Sequence, residues 1–120
     1  MLRAASFRPR TDVTSQWTDA AALDAIPPDD VIGVDVQGHA LALYRVDDEV
    51  FATDVKCTHG DARLCDGWLQ GHEIECPLHQ GRFDLRTGEA TFGPAWAPVR
   101  VFPVRIVEGR VQVDLAPQPD

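Results

Sequence analysis

Apolar and polar residues alternate over short stretches of this chain, and turn residues separate the stretches. In the last stretch Val111, Val113 and Leu115 are apolar, whereas Gln112 and Asp114 between them are polar. Alternation with a period of two is typical of a strand that has one face in the core. Many short strands separated by turns predict an all-β fold.

The position of each strand is indicated by β-branched and aromatic residues between clusters of turn residues. The predicted strands cover residues 31–36, 41–46, 50–53, 73–75, 82–85, 89–92, 99–107 and 110–115. Between two of them, Arg86-Thr87-Gly88 predicts a hairpin turn with glycine where a positive φ is needed. Residues 17–26 are instead predicted to form a short helical turn that ends before Pro27.

Length and composition indicate one ordinary globular domain. The chain has 120 residues, of which 44% are hydrophobic and 25% charged, and this length suits a single domain with a modest core. We expect an N-terminal tail over residues 1–15, one domain over residues 16–116 and a C-terminal tail over residues 117–120.

The net charge and the number of cysteines limit the partners and the cellular location that the protein can be expected to have. The formal net charge of −8 argues against nucleic acid as a partner, because such binding neutralises phosphates with basic side chains. No apolar run is long enough to span a membrane, and the first residues lack a secretory signal. Three cysteines give no disulfide framework, so we expect a cytoplasmic protein.

Two short segments each combine one cysteine with one histidine. They are Cys57-Thr58-His59-Gly60 and Cys76-Pro77-Leu78-His79-Gln80-Gly81. In a Rieske centre two histidines replace two cysteines on one iron of a [2Fe–2S] cluster, and two mixed segments fit this need. Structural zinc takes the same donors, but zinc fingers usually keep cysteines and histidines in separate segments. The metal ligands are therefore predicted to be Cys57, His59, Cys76 and His79.

Residues 51–83 resemble the Rieske-type ferredoxins of bacterial aromatic-ring-hydroxylating dioxygenase systems, and a weaker likeness extends over residues 17–115. Besides the two ligand segments, the likeness includes Asp61-Ala62-Arg63-Leu64, Asp66-Gly67 and Arg82-Phe83-Asp84. It implies the Rieske (ISP-like) fold, an antiparallel β-sandwich base with a small cluster-binding subdomain at about residues 56–94. It also implies one Rieske-type [2Fe–2S] cluster per chain.

The same resemblance implies a single-electron carrier that catalyses no reaction itself. Such a carrier is expected to be a monomer, to take electrons from an NAD(P)H-dependent flavoprotein reductase and to pass them to a terminal oxygenase. An oxygenase of this type needs a further iron held by two histidines and a carboxylate, and only His39 and His72 remain for it. The alternatives are a Rieske-like small subunit of an assimilatory nitrite reductase and, more remotely, a zinc-binding module.

Several residues are expected to support the cluster: Gly60, Gln80, Gly81, Phe83 and Pro94. Gly60 and Gly81 would let backbone N–H groups approach the cluster sulfurs, although plain turn glycines are the alternative. Pro94 would belong to a third loop over the cluster. Gln80, together with Trp68 and Trp96, would form part of a docking tip.

By comparison with respiratory Rieske proteins, several stabilising groups are missing. Where those proteins carry the two cysteines of a loop-joining disulfide, this chain has Ala62 and Leu78. Where they carry hydroxyls aimed at the cluster, it has Gly81 and Phe83. Fewer hydrogen bonds stabilise the added electron less. The midpoint potential is therefore expected near the bottom of the Rieske range, at about −150 mV.

The remaining polar and thiol groups are given simple interpretations. Cys65 is expected to be a small buried thiol, and His39 and His72 to be surface histidines in turns. Four acidic residues lie close to the ligand segments, namely Asp54, Asp61, Asp66 and Glu75. They are expected to form a solvated face, with attraction or repulsion of a partner as the alternative.

Overall fold

The computed structural model describes residues 3–4, 16–58, 60–78, 80–93 and 97–116. The strands in this part of the chain are β1 (Arg3–Ala4), β2 (Trp17–Ala22), β3 (Asp30–Val36), β4 (His39–Val46), β5 (Glu49–Asp54), β6 (Trp68–Gln70), β7 (Glu73–Glu75), β8 (Arg82–Asp84), β9 (Ala90–Phe92), β10 (Val101–Phe102), β11 (Val104–Val107) and β12 (Arg110–Asp114). Two short 3-10 turns, Leu23–Ala25 and Leu64–Asp66, complete the regular structure described. Neither is a helix of the length and apolarity that a membrane span requires.

The strands form three sheets. The central sheet has the order β1-β5-β4-β3, with β10 also paired to β5. A second sheet has the order β11-β12-β2, and a third, small sheet has the order β6-β7-β8-β9. Among the described pairs only β1 and β5 run parallel. The all-β, antiparallel prediction is confirmed.

The central sheet is buried on both faces. Successive residues of β4 point in opposite directions, so that Ala42 and Tyr44 join one core cluster and Leu41 and Leu43 join the other. Because both faces are covered, β4 reads as a nearly continuous apolar run rather than as an alternating one. The sandwich base and the small subdomain thus share this one sheet.

Each core cluster belongs to a different pair of sheets. The cluster on the Leu41 face also contains Val111 and Val113 of β12, and it holds the sandwich base together. The cluster on the Tyr44 face contains Ile74 of β7 and Phe83 of β8, and it attaches the small sheet. The Tyr44 hydroxyl and the Thr53 hydroxyl lie 2.9 Å apart within this second cluster, so these buried polar groups are paired.

The predicted helical turn over residues 17–26 is wrong for Trp17–Ala22, which form a strand. This segment pairs with β12 along its length, and the Arg110 guanidinium donates to the Asp19 carboxylate at 2.9 Å. An alanine-rich stretch favours a helix only weakly. Pairing with β12 in the folded protein overrides this helix propensity. The helical prediction holds only for the 3-10 turn at Leu23–Ala25.

The single strand predicted over residues 99–107 is divided in two. Val101–Phe102 pairs with β5 of the central sheet, whereas Val104–Val107 pairs with β12 of the second sheet. Pro103 lies at the crossing point, where a residue without an N–H group interrupts a ladder at little cost. The strand β6, which has only three residues, was not predicted from the sequence.

Candidate metal centre

The first ligand segment forms a closed loop next to the central sheet. Lys56 and Arg63 make an isolated antiparallel bridge, and the residues between them, 57–62, are here called ligand loop 1. Inside the loop the Cys57 N–H donates to the Ala62 carbonyl at 2.9 Å, and the Ala62 N–H donates to the Gly60 carbonyl at 2.9 Å. These hydrogen bonds place Cys57 at the base of the loop.

The second ligand segment is the tip of the β7–β8 hairpin. Glu75 and Arg82 are the last paired residues of the two strands, and residues 76–81 between them are here called ligand loop 2. The Cys76 N–H donates to the Gly81 carbonyl at 2.7 Å. Gln80 has a φ of 62°, a left-handed conformation that few side chains other than glycine adopt readily. The hydrogen bond from the Cys76 N–H to the Gly81 carbonyl places Cys76 at the base of ligand loop 2. Cys57 occupies the same position in ligand loop 1.

The two loops bring the two predicted thiol ligands together. The side chains of Cys57 and Cys76 are buried, with exposures of 2% and 0%, and the Cys57 thiol lies within hydrogen-bonding reach of Cys76. Burial and the neighbouring Cys57 thiol raise the pKa of Cys76 to about 11, although the Leu78 N–H acts in the opposite direction. That N–H points at the Cys76 sulfur across 3.4 Å.

This arrangement fits the thiolate half of an iron–sulfur site. Two adjacent buried sulfurs, one of which accepts a backbone hydrogen bond, provide the donors and the apolar shell that such a cluster requires. All three cysteines lie in the described part of the chain, and no disulfide joins any of them. Metal binding would convert the buried thiols to thiolates and release their protons.

Several predicted site residues lie outside the described residues. They are His59, His79, Pro94 and Trp96. The structure describes both neighbours of each histidine, namely Thr58, Gly60, Leu78 and Gln80. The thiol half of the predicted donor set is thus described, and the imidazole half stays a prediction.

A third segment is attached to ligand loop 1 by a side chain. The Thr58 hydroxyl donates to the Ala97 carbonyl at 2.8 Å. Thr58 is the residue between Cys57 and His59 in the sequence. Its hydrogen bond therefore holds Ala97, in the segment that follows β9, next to the chain of ligand loop 1. This is the segment in which the sequence analysis placed a covering loop.

The predicted supporting residues differ in their surroundings. Phe83 is fully buried in the core cluster that also contains Cys57 and Cys76, and Gly81 is buried, whereas Gln80 is exposed. A side chain at Gly60 would meet Leu78, which gives this glycine a packing role that the sequence analysis did not foresee.

Two large aromatic residues are exposed on the small sheet. Trp68 is 55% exposed and Phe92 is 58% exposed, and the paired residues Glu75 and Arg82 lie between them in the cross-strand row. The Arg82 guanidinium lies 5.4 Å from the Phe92 ring centre and 3.1 Å from the Glu75 carboxylate. Glu75 and Arg82, in the middle of this row, directly flank ligand loop 2.

The interpretation of His39 and His72 as plain surface residues is incomplete. His39 Nε2 lies 2.7 Å from the Asp54 carboxylate, and its ring packs edge-on against Phe102. His72 Nε2 lies 3.7 Å from the Glu49 carboxylate, and its ring packs edge-on against Phe51. Both side chains are half-buried. His39 connects β4 to β5, and His72, in the turn between β6 and β7, connects the small sheet to β5.

Most of the acidic residues near the loops have partners within the chain. Asp54 pairs with His39, Glu75 with Arg82, and Asp61 lies 3.5 Å from the ammonium group of Lys56. The last pair is almost fully exposed, and a surface pair of this kind contributes only about 0–1 kcal/mol. The predicted acidic face is therefore partly neutralised by the protein itself.

Cys65 is a half-buried packing residue. Its Sγ lies 2.9 Å from the position that a Cβ at Gly33 would occupy, so the thiol fills the space above a glycine of β3. Burial raises the pKa of the Cys65 thiol, which keeps it protonated and poorly reactive near neutral pH. The expectation of a small, largely buried thiol is consistent with this position.

Comparison with known proteins agrees with the fold. Residues 16–103 match the Rieske [2Fe-2S] domain. The chain is 54% identical over 104 residues to the ferredoxin component of the naphthalene 1,2-dioxygenase system of Pseudomonas aeruginosa, covering 87% of this chain and all of that protein.

Solved structures give the same result. A ferredoxin of Sphingomonas yanoikuyae B1 superposes with a TM-score of 0.79 at 40% identity, covering 87% of this chain and all of that one. A chain in the complex of reduced oxygenase and oxidised ferredoxin of carbazole 1,9a-dioxygenase superposes with a TM-score of 0.80 at 38% identity, covering 87% of this chain and 97% of that one.

The all-β sandwich with its small hairpin subdomain, together with the match over residues 16–103, identifies a protein of the Rieske type. The chain belongs to the Rieske [2Fe-2S] family. Within that family it is a ferredoxin of the aromatic dioxygenase type, an electron-carrier component rather than a catalytic oxygenase. The resemblance seen in the sequence is confirmed.

Proposed function

We propose that this protein holds one Rieske-type [2Fe–2S] cluster through Cys57, Cys76, His59 and His79. The two thiolates would bind one iron and the two imidazoles the other. The observation that carries this proposal is the burial of the two thiols side by side at the bases of two hairpin-like loops. The membership of the chain in the Rieske family supports the histidine half.

When bound, the cluster would supply reversible one-electron chemistry. The chain's own residues hold the sulfurs in a dry position, and the Leu78 N–H donates toward Cys76 Sγ. A hydrogen bond to a ligand sulfur stabilises added negative charge and so tunes the potential. The side chain of Phe83 offers no hydroxyl for a further hydrogen bond of this kind.

We further propose that the protein carries single electrons from an NAD(P)H-dependent flavoprotein reductase to a terminal oxygenase. Relatives that align over their whole length are ferredoxin components of aromatic-ring dioxygenase systems, and a similar ferredoxin occurs in a complex with an oxygenase. Both relationships support an oxygenase as the acceptor. A flavoprotein reductase is proposed as the donor because NAD(P)H gives up two electrons as a hydride, whereas this carrier accepts one electron at a time.

The cluster is expected to have a low midpoint potential for a Rieske centre, about −150 mV. The physical reason is that Gly81 and Phe83 carry no hydroxyl group that could donate a hydrogen bond toward the cluster or a ligand sulfur. Potentiometric titration followed by EPR of the reduced protein would measure it, with an average g value near that of mixed Cys/His clusters as the identifying signal. A clearly positive midpoint would contradict the expectation.

The carrier function can be tested by replacement. The protein is added to the purified reductase and oxygenase of a naphthalene 1,2-dioxygenase system from which the ferredoxin component is left out. NADH-dependent product formation is expected to require the wild-type protein, and Cys76→Ser serves as the matched control. Product formation no faster than with Cys76→Ser would argue against transfer to this class of oxygenase.

A further inference from the structure

Leu78 connects the two ligand loops without being a predicted ligand. It lies in ligand loop 2, and its side chain extends over Gly60 of ligand loop 1. A Cβ built on Gly60 would lie 2.8 Å from Leu78 Cδ2 and 4.0 Å from Cγ. Real Cβ atoms are essentially never found at the shorter distance, so the leucine side chain occupies the space that any larger residue at position 60 would need.

The main chain of the same leucine contacts the other side of the site. Its N–H lies 3.4 Å from Cys76 Sγ, and its half-buried side chain packs against the core cluster that contains both Cys57 and Cys76. Leu78 is thus in contact with its own loop's sulfur and with the opposite loop. No disulfide among the described cysteines performs this connection.

We propose that Leu78 is a positioning residue whose packing on Gly60 sets the separation of the ligand loops and limits the access of water to the Cys76 sulfur. This inference rests on the proposed ligand set. In this protein the apolar contact between Leu78 and Gly60 would connect the two loops, as the loop-joining disulfide does in respiratory Rieske proteins. It also gives the reason for glycine at position 60, which is room for the leucine rather than an approach of its N–H to the cluster.

The contact is tested by a double-mutant cycle of Gly60→Ala, Leu78→Ala and the variant with both changes. Gly60→Ala alone forces Leu78 aside, and the cluster is expected to be lost to a chelator roughly ten-fold faster, the size typical of lost outer-shell support. In the Leu78→Ala background the alanine Cβ meets no leucine. The same change at Gly60 should then have little further effect on the rate.

The measurements are the decay of visible absorbance of the loaded protein in EDTA and the thermal unfolding temperature of each variant. Leu69→Ala is the matched control, because Leu69 packs against the same core cluster from β6. It should lower the unfolding temperature without showing coupling to Gly60→Ala. Where Gly60→Ala fails to bind a cluster at all, restored binding in the double variant counts as rescue.

A Gly60→Ala effect of equal size in both backgrounds would overturn the inference, because the glycine would then be needed for its backbone alone. Failure of both the single and the double variant to hold the cluster would overturn it as well. The coupling in unfolding temperature does not depend on which metal the loops bind. A wild-type protein without the mixed Cys/His signal would therefore reject the proposed function, while the cycle still decides the role of Leu78.

Discussion

Cys57→Ser and Cys76→Ser are each expected to abolish the visible chromophore and the EPR signal of the reduced protein, whereas Cys65→Ala should keep both. Iron–sulfur clusters require soft thiolate ligands, and a serine hydroxyl at the same position stays protonated and binds iron poorly. Cys65 lies in the same region of the chain, but its thiol packs on Gly33 of β3. Substitution of the three cysteines therefore distinguishes the two proposed ligands, Cys57 and Cys76, from Cys65, which has a packing role.

The measurement is iron content per chain together with absorption and EPR spectra, with far-UV circular dichroism to show that each variant is folded. Cys65→Ala is expected to lose about 1 kcal/mol of stability through the small cavity it leaves, and no iron. Retention of the chromophore by Cys76→Ser, or its loss in Cys65→Ala, would show that the ligands have been wrongly assigned. Because serine differs from cysteine by one atom, a change in packing cannot imitate the loss.

The ligand residues are proposed from sequence alone, because residue type and spacing carry the signal. A cysteine and a histidine in each of two segments indicate a mixed site whatever the path of the chain between them. The burial of Cys57 and Cys76 and their adjacency needed the structure. They depend on how the β7–β8 hairpin packs against the central sheet, which no local pattern describes.

The strands were predicted well where alternation or runs of β-branched residues mark them, and poorly where tertiary contacts decide. Residues 110–115 alternate visibly, and β12 occupies residues 110–114 of that segment. Trp17–Ala22 has a composition that suits a helix, yet β12 requires it as a strand. The change of sheet at Pro103 could not be seen either, because the residues on both sides of the proline have the same β-branched character.

Contacts made by glycines were the least predictable part of the site. Gly60 and Gly67 look alike in sequence, as small residues after a polar one. The structure gives each a different neighbour, the Leu78 side chain for Gly60 and the Glu75 backbone for Gly67. The contact of Gly67 could not be predicted, because Gly67 directly precedes β6, a strand that was not predicted from the sequence.

Gly67→Ala is expected to destabilise the protein by about 3 kcal/mol, the upper range for forcing extra atoms into a closed space. An alanine Cβ would overlap the carbonyl oxygen of Glu75, which lies opposite Trp68 in the β6–β7 pair. The dihedral angles of Gly67, φ −90° and ψ −162°, are open to any residue. The clash, rather than backbone strain, is therefore the cause, and backbone atoms cannot turn aside as a side chain can.

The decrease should appear as a fall of roughly 10 °C in the thermal unfolding temperature, measured by circular dichroism. Gly93→Ala is the matched control, since no described atom lies within 4 Å of a Cβ at that position. Relief of the Gly67 clash must move Glu75, and Cys76 follows it directly in the chain, so the variant should also lose its cluster to EDTA faster than Gly93→Ala does. Equal unfolding temperatures for the two variants would mean that β6 can move away from β7 freely. In that case the small sheet could not be the rigid support that holds ligand loop 2 against ligand loop 1.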